Sequence, residues 1–298
     1  NSSSLIRKIY RFNAWRNWVL TNEYDCVIDF RMRPSFVLGF LLSRLIYPKN
    51  TIYYVLSGKL DFFFFFYALL CNLIYKNRKI ATVSEAIKNS IVAKNLSNKV
   101  QNLFQPFDIK AIEYLKEAFI SETNYILAVG SMDNDVKQID KLILAYSESN
   151  LPKQNIKLIV LGEGKNKRDY LKLVENLNLS QKVVFKGIVQ NPFPYYKNAL
   201  FYVLSSKNEG LSNAIVESLA CATPVVAFDC FSGPREIITN GHNGILVENQ
   251  NFEKLTEAMN QMISDNELYQ NLKKNAVGSI GKFSIDLIGK QWVEFIQS

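Results

Sequence analysis

The sequence has 298 residues, 48% of them hydrophobic and 21% charged, which excludes a disordered chain and leaves room for about two ordinary domains. Residues 1–119 hold 17 Lys and Arg against 8 Asp and Glu, and the remainder holds 18 against 19, so the net +8 belongs to the first part, whose natural counterpart is an anionic membrane surface or nucleic acid. A single histidine and four cysteines without CxxC spacing exclude a His-rich metal site and a disulfide-stapled scaffold, and they fit a reducing cytoplasm.

At the N-terminus, NSSSLIRK has neither the apolar core nor the cleavage site of a secretory signal. The first residue is not Met, so the numbering is expected to start inside a longer or processed protein. Residues 25–30 and 51–56 read as strands and 36–46 as a helix. The apolar run 62–75, with five consecutive Phe, is shorter than the roughly 20 residues of a bilayer span. It reads as a core helix, or as an interfacial one with Lys76, Arg78 and Lys79 at lipid headgroups. A strand over 80–83 and a helix over 85–93, with Ser84 as N-cap, follow. These are few strands for a doubly wound domain, and further βα units are expected upstream of residue 1.

The join falls near residues 107–123. Beyond it, strand-like runs at 125–129, 157–161, 183–185, 200–204 and 224–228 alternate with helical patterns at 138–147, 167–177, 213–221 and 235–239. That alternation predicts a parallel sheet covered on both faces. Gly130, Gly162, Gly187 and Ser205 follow strands, marking the carboxyl-end loops where open α/β sheets bind ligands. His242, inside GHNG, reads as turn chemistry rather than catalysis. A last helix over 285–297 carries Trp292 and Phe295 on an apolar stripe that must dock.

The chemistry concentrates at 205–217, SSKNEGLSNAIVE. A strand ends, a loop carries Glu209, and Ser212 caps a helix that bears Glu217, eight positions after Glu209. The first amides of such a helix form an anion site, and Gly210 permits close backbone approach. A carboxylate at Glu217 can accept two hydrogen bonds from a vicinal diol such as ribose, and Glu209 can reach a sugar beyond the phosphates.

This E-x7-E pair, followed by 220–227 (ACATPVVA), 233–238 (GPREII) and 241–247 (GHNGILV) and preceded by 158–164 (LIVLGEG), resembles the family 4 retaining glycosyltransferases of GT-B fold. The likeness runs from about residue 125 to 259 and, more weakly, through 81–85 (ATVSE) back to residue 24. The resemblance implies an α/β fold of two Rossmann-like domains facing a cleft. The first would be an acceptor- and membrane-facing domain over 1–118, incomplete at its N-terminus. The second would be a nucleotide-sugar domain over 119–283, with the closing helix 284–298 packing back on the first.

By the same likeness Glu217 binds ribose, and Glu209 contacts the donor sugar as the catalytic carboxylate. The amides of Gly210, Leu211, Ser212 and Asn213 hold the diphosphate. Gly130, Ser131 and Lys137 form the first phosphate loop, and Gly187 with Ile188 lies against the base. Relatives carry Arg where this chain has Ser131, and His where it has Leu56. Arg235 or Lys207 is expected to supply the missing phosphate cation.

The implied reaction is transfer of a hexose or N-acetylhexosamine from a UDP-sugar to a polyprenyl-diphosphate-linked glycan in bacterial surface-glycan or glycoprotein assembly. The chain is expected to lie peripherally on the anionic inner face of the cytoplasmic membrane, with no cofactor and no nucleic-acid partner. Asp133-Asn134-Asp135 resembles a metal-binding DxD pair but reads as a solvated loop, so no metal is expected. The alternative is a GT-B remnant that binds nucleotide or glycan without transfer, which Leu56, Ser131 and the short first domain favour.

Overall fold

The computed structural model describes residues 2–22, 24–30, 36–57 and 68–298, which divide into two units, Asn1–Phe104 with Lys290–Ser298, and Gln105–Gly289. In the first, helices α1 (Ser2–Thr21), α2 (Phe36–Leu45), α3 (Ala68–Tyr75) and α4 (Glu85–Ala93) alternate with strands β1 (Ile28–Asp29), β2 (Ile52–Val55), β3 (Lys79–Thr82) and β4 (Lys99–Asn102). The strands pair in chain order, all parallel. Crossovers of helical length permit no other pairing direction as easily. Ser84 caps α4 as expected, its Oγ accepting from Ile87 N at 3.2 Å, and Ile87 and Ile91, four apart, bury one face of the helix. Of the apolar run 62–75, α3 covers 68–75, and residues 58–67, which include all five consecutive Phe, lie outside the described residues. Helix α1 and strand β4 had no counterpart among the expected elements.

The second unit contains strands β5 (Tyr125–Val129), β6 (Lys157–Leu161), β7 (Val183–Gly187), β8 (Tyr202–Leu204), β9 (Val225–Phe228) and β10 (Gly244–Val247). Around them lie helices α5 (Ile109–Leu115), α6 (Ile139–Glu148), α7 (Lys167–Asn176), α8 (Phe193–Asn198), α9 (Asn213–Ala220), α10 (Pro234–Ile237), α11 (Phe252–Ser264) and α12 (Asn266–Ala276), with α13 (Ile285–Gln297) at the end. The parallel sheet runs β10-β9-β8-β5-β6-β7. In chain order this is the 3-2-1-4-5-6 arrangement of dinucleotide-binding sheets, whose order reverses between β5 and β8. Phe201 and Val203 enter the core beneath the sheet with Ile126, Ala128 and Val226, and period-two alternation sends Tyr202 and Leu204 to the other face.

The division between the units lies at Phe104/Gln105, earlier than the 118/119 boundary expected from sequence. Helix α5 packs on α8 and α9, and Asn191 Nδ2 donates to Leu115 O at 2.8 Å. At the other end the division falls inside α13. Its start is pinned in the second unit, where Ile285 N donates to Phe107 O at 2.9 Å. Its end joins the first unit, with the Trp292 ring edge-on to Tyr54 at 5.0 Å and Lys79 Nζ donating to Phe295 O at 2.7 Å.

Candidate active site

The order reversal brings together two loops at the carboxyl ends of β5 and β8, the place where open α/β sheets bind ligands. The loop after β5 runs through Gly130, Ser131 and Lys137, and the loop after β8 through Ser205, Lys207, Glu209 and Gly210. They are stitched together: Ser205 Oγ donates to Lys137 O at 2.8 Å and Lys207 N to Val136 O at 2.9 Å. Across them Lys137 Nζ donates to Glu209 Oε1 at 2.6 Å, with the Glu209 side chain only 12% exposed. A charge pair this dry and short constrains both groups.

Gly130 explains how the lysine reaches that position. A Cβ there would lie 2.8 Å from Lys137 Cγ and 3.0 Å from Cδ, so the bare glycine is the bed on which the lysine stem lies. Its neighbour Gly162, after β6, has φ +129°, and a Cβ there would fall 2.0 Å from Gly130 O, which only glycine avoids.

Helix α9 begins beside Glu209. Ser212 occupies its N-cap position, but no side-chain cap bond forms, and its Oγ is buried without a partner. The cap expected from sequence is therefore missing; Ile215 N donates to Ser212 O at 3.1 Å, and the amides of Asn213 and Ala214 ahead of it keep their anion-binding capacity. Ser206 Oγ is likewise buried and unpartnered. Ser232 Oγ donates to Gly210 O, tying the β9–α10 loop to the same place.

Glu217, on the second turn of α9, is half-buried and accepts from Tyr196 Oη through Oε2 at 3.1 Å. Burial pushes its carboxyl above the usual carboxylate range, and the tyrosine bond pulls it part-way back. Tyr196 is fully buried, and its carbonyl accepts from Thr223 Oγ1 at 2.6 Å. Thr223 belongs to the ACATP turn that follows α9, so that turn locks the tyrosine that holds the glutamate. Tyr202 packs edge-on to Tyr196 at 5.6 Å. Burial, and behind it the charges of Glu209 and Glu217, hold its phenol well above the usual range, and its hydroxyl has no partner.

Sequence reasoning missed both tyrosines. Tyr202 was legible as the first residue of β8, on the face opposite Phe201 and Val203 and three residues before Ser205, whereas Tyr196 carries no local signal.

Of the remaining expected residues, Gly187 ends β7 and Ile188 after it is 81% exposed, on the side of the sheet edge away from Glu217. Lys207 is paired with Asp135, and Arg235 Nε donates to Asp229 Oδ1 at 2.7 Å. Both cations proposed to replace the missing arginine are therefore already held by carboxylates. Ser131 Oγ donates to Asp133 Oδ2 at 3.0 Å, and Asp133 Oδ1 accepts from Lys165 N at 3.2 Å, so this aspartate organises its own loop.

The chain is similar to known proteins over most of its length. A family profile of glycosyl transferases group 1 matches residues 110–278. The chain belongs to the group 1 glycosyl transferases. It is 30% identical over 250 residues to an N-acetylgalactosamine-N,N'-diacetylbacillosaminyl-diphospho-undecaprenol 4-alpha-N-acetylgalactosaminyltransferase of Campylobacter jejuni, covering 82% of this chain and 67% of that protein. It is 27% identical over 225 residues to an amylovoran biosynthesis glycosyltransferase of Erwinia amylovora, covering 75% of this chain and 60% of the relative. Among solved structures, Anabaena HepE in complex with UDP superposes with a TM-score of 0.75 at 18% identity, covering 92% of this chain and 79% of that one. With two parallel α/β sheets and such neighbours, this group 1 transferase has the GT-B fold.

Proposed function

We propose that this group 1 transferase moves a hexose or N-acetylhexosamine from a UDP-sugar to a polyprenyl-diphosphate-linked glycan, with retention of anomeric configuration. The observation that carries the reading is the Lys137–Glu209 pair at the order reversal of the second sheet, beside an uncapped helix start and eight residues before Glu217. Glu217 accepts from the ribose diol. The first-turn amides of α9 and Lys137 take the diphosphate, and stabilise the charge that develops on it as the glycosidic bond breaks. Release of Lys137 toward the phosphates frees Glu209 to orient the donor sugar. Nothing in this scheme calls on a metal or a cofactor, so EDTA is expected to leave the rate unchanged. The activity named for the Campylobacter relative supports a lipid-linked acceptor, and the basic first unit supports a peripheral position on the inner face of the cytoplasmic membrane.

The deciding experiment measures transfer and UDP binding with Glu209→Ala. Transfer is expected to fall about 10²–10³-fold, the scale of losing one transition-state contact, while UDP still binds. The second reading, a binding remnant, draws on the paired state of Lys207 and Arg235, which leaves the phosphate site short of a cation. It wins if Glu209→Ala supports the same glycan assembly as the parent.

A further inference from the structure

Every residue between β9 and α10 is anchored, and one of them also turns an aromatic ring to solvent. Asp229 N donates to Val247 O at 2.7 Å, and its carboxylate takes the fork of Arg235. Cys230 is buried. Ser232, buried as well, donates through Oγ to Gly210 O, and Gly233 lies so close to the loop after β8 that a Cβ on it would meet Ser212 N at 3.1 Å. Both run at positive φ, +67° at Ser232 and +95° at Gly233. For a serine that conformation is costly and persists only where surrounding contacts impose it. The remaining residue is Phe231. Its backbone pairs with Asn208 in an isolated parallel bridge, one position before Glu209, yet its side chain is 44% exposed. Among the described residues of the loops after β5, β8 and β9, it is the one large apolar side chain left open to solvent. A single exposed apolar residue is ordinary on a protein surface. This one stands on a strained backbone clamped to the loop that carries Glu209.

Sheet order decides which part of a nucleotide sugar the ring can meet. Along the carboxyl edge, β6 and β7 lie on one side of the order reversal, and β9 lies on the other, next to β8. In the reading proposed above, the base sits at Gly187 and Ile188 after β7, and the diphosphate sits at the reversal, on Lys137 and the start of α9. A donor laid across these points carries its sugar onward to β9, one strand spacing of about 4.8 Å beyond β8. Glu209 and Phe231 stand there, on loops joined by the Asn208 bridge. A pyranose has the two surfaces that this pair complements. Its hydroxyls donate to a carboxylate, and its face of C–H bonds, weakly positive, lies against the negative face of an aromatic ring. The base is four strand positions away, and the charged phosphates have no apolar face to offer.

We propose that Phe231 binds the sugar being transferred, its ring stacked on the C–H face of the donor pyranose while Glu209 takes the hydroxyls. The proposal rests on the UDP-sugar reading and adds to it the residue that holds the sugar ring. The test is calorimetric titration of the full chain with UDP and with UDP-glucose, UDP-galactose, UDP-N-acetylglucosamine and UDP-N-acetylgalactosamine. The UDP-sugar that the parent binds most tightly then serves as probe. Phe231→Ala is expected to bind that probe about fivefold more weakly, the scale of one aromatic contact. It should bind UDP as the parent does, which reports an intact nucleotide site. Phe231→Tyr keeps the ring and should bind both ligands as the parent does. Three results overturn the proposal and leave the UDP-sugar reading standing: Phe231→Ala binding the probe like the parent, Phe231→Ala losing UDP as well, or Phe231→Tyr binding the probe as weakly as Phe231→Ala. A parent that binds none of the five nucleotides overturns both.

Discussion

Replacing Tyr196 by Phe removes one oxygen from a fully buried ring and nothing else. That oxygen donates to Glu217 Oε2 at 3.1 Å. The turn bond from Thr223 to the Tyr196 carbonyl and the edge contact with Tyr202 do not depend on it, so the ring should stay in place. A hydrogen bond to a charged group contributes about 1.5–3 kcal/mol. At this length the lower figure applies, equivalent to roughly one pKa unit. Burial already raises the Glu217 carboxyl and the tyrosine bond opposes that rise, so the substitution moves the carboxyl further up. Ribose needs the ionised form as acceptor, hence UDP binding weakens as pH falls through the Glu217 pKa. The acid limb of UDP affinity, measured by titration calorimetry, should therefore shift upward by about one unit in Tyr196→Phe, so that affinity at a fixed pH on that limb falls about tenfold while the plateau above it is unchanged. An unmoved limb and unchanged affinity, alongside a Glu217→Gln variant that fails to bind, would refute the claim that Tyr196 positions the carboxylate.

Three further outcomes follow from the same geometry. Glu217 has a raised pKa in the folded chain, so its contribution to stability is fully present below the unfolded carboxylate pKa and is lost as pH rises through the folded one. Glu217→Gln should thus raise the melting temperature at pH 7.5 by a few degrees, since about 1 kcal/mol moves Tm by roughly 2–4 °C in a unit of this size, while UDP binding is lost. Gly130→Ala sets a methyl 2.8 Å from Lys137 Cγ. A flexible stem can move aside, so thermal stability should change little, yet UDP affinity should fall about tenfold as the ammonium leaves its place. Burial pushes the Cys221 and Cys230 thiols up to about 12, so neither should be alkylated by iodoacetamide at pH 8 until denaturant is added, as peptide mass mapping will show.

Much of the second unit was legible in the chain because its signals are local. Alternation of β-branched runs with helical periods specified a parallel sheet, and the placing of Glu209, Gly210 and Glu217 needed only a strand end, a loop and a helix. The family resemblance rested on the same contiguous motifs. Helices α11 and α12 were not read, although both are amphipathic. In the first unit β1 shrinks from six expected residues to Ile28–Asp29, because strand length is set by the pairing partner and not by the apolar run alone.

Sequence by itself determined which residue types stand at which positions: a glycine before a lysine-bearing loop, two carboxylates eight apart, and a basic first part. Only tertiary structure decided their pairing. Lys137 and Glu209 are 72 positions apart and meet because β5 and β8 are neighbours at the order reversal. Lys207 and Arg235, free cations on paper, are each held by an aspartate, and Tyr196 reaches Glu217 across 21 positions from α8 to α9. Charge and spacing are properties of the chain. Burial and partnership exist only once the sheet order has brought distant loops to one edge, and it is burial that moves the Glu217 carboxyl from its ordinary range.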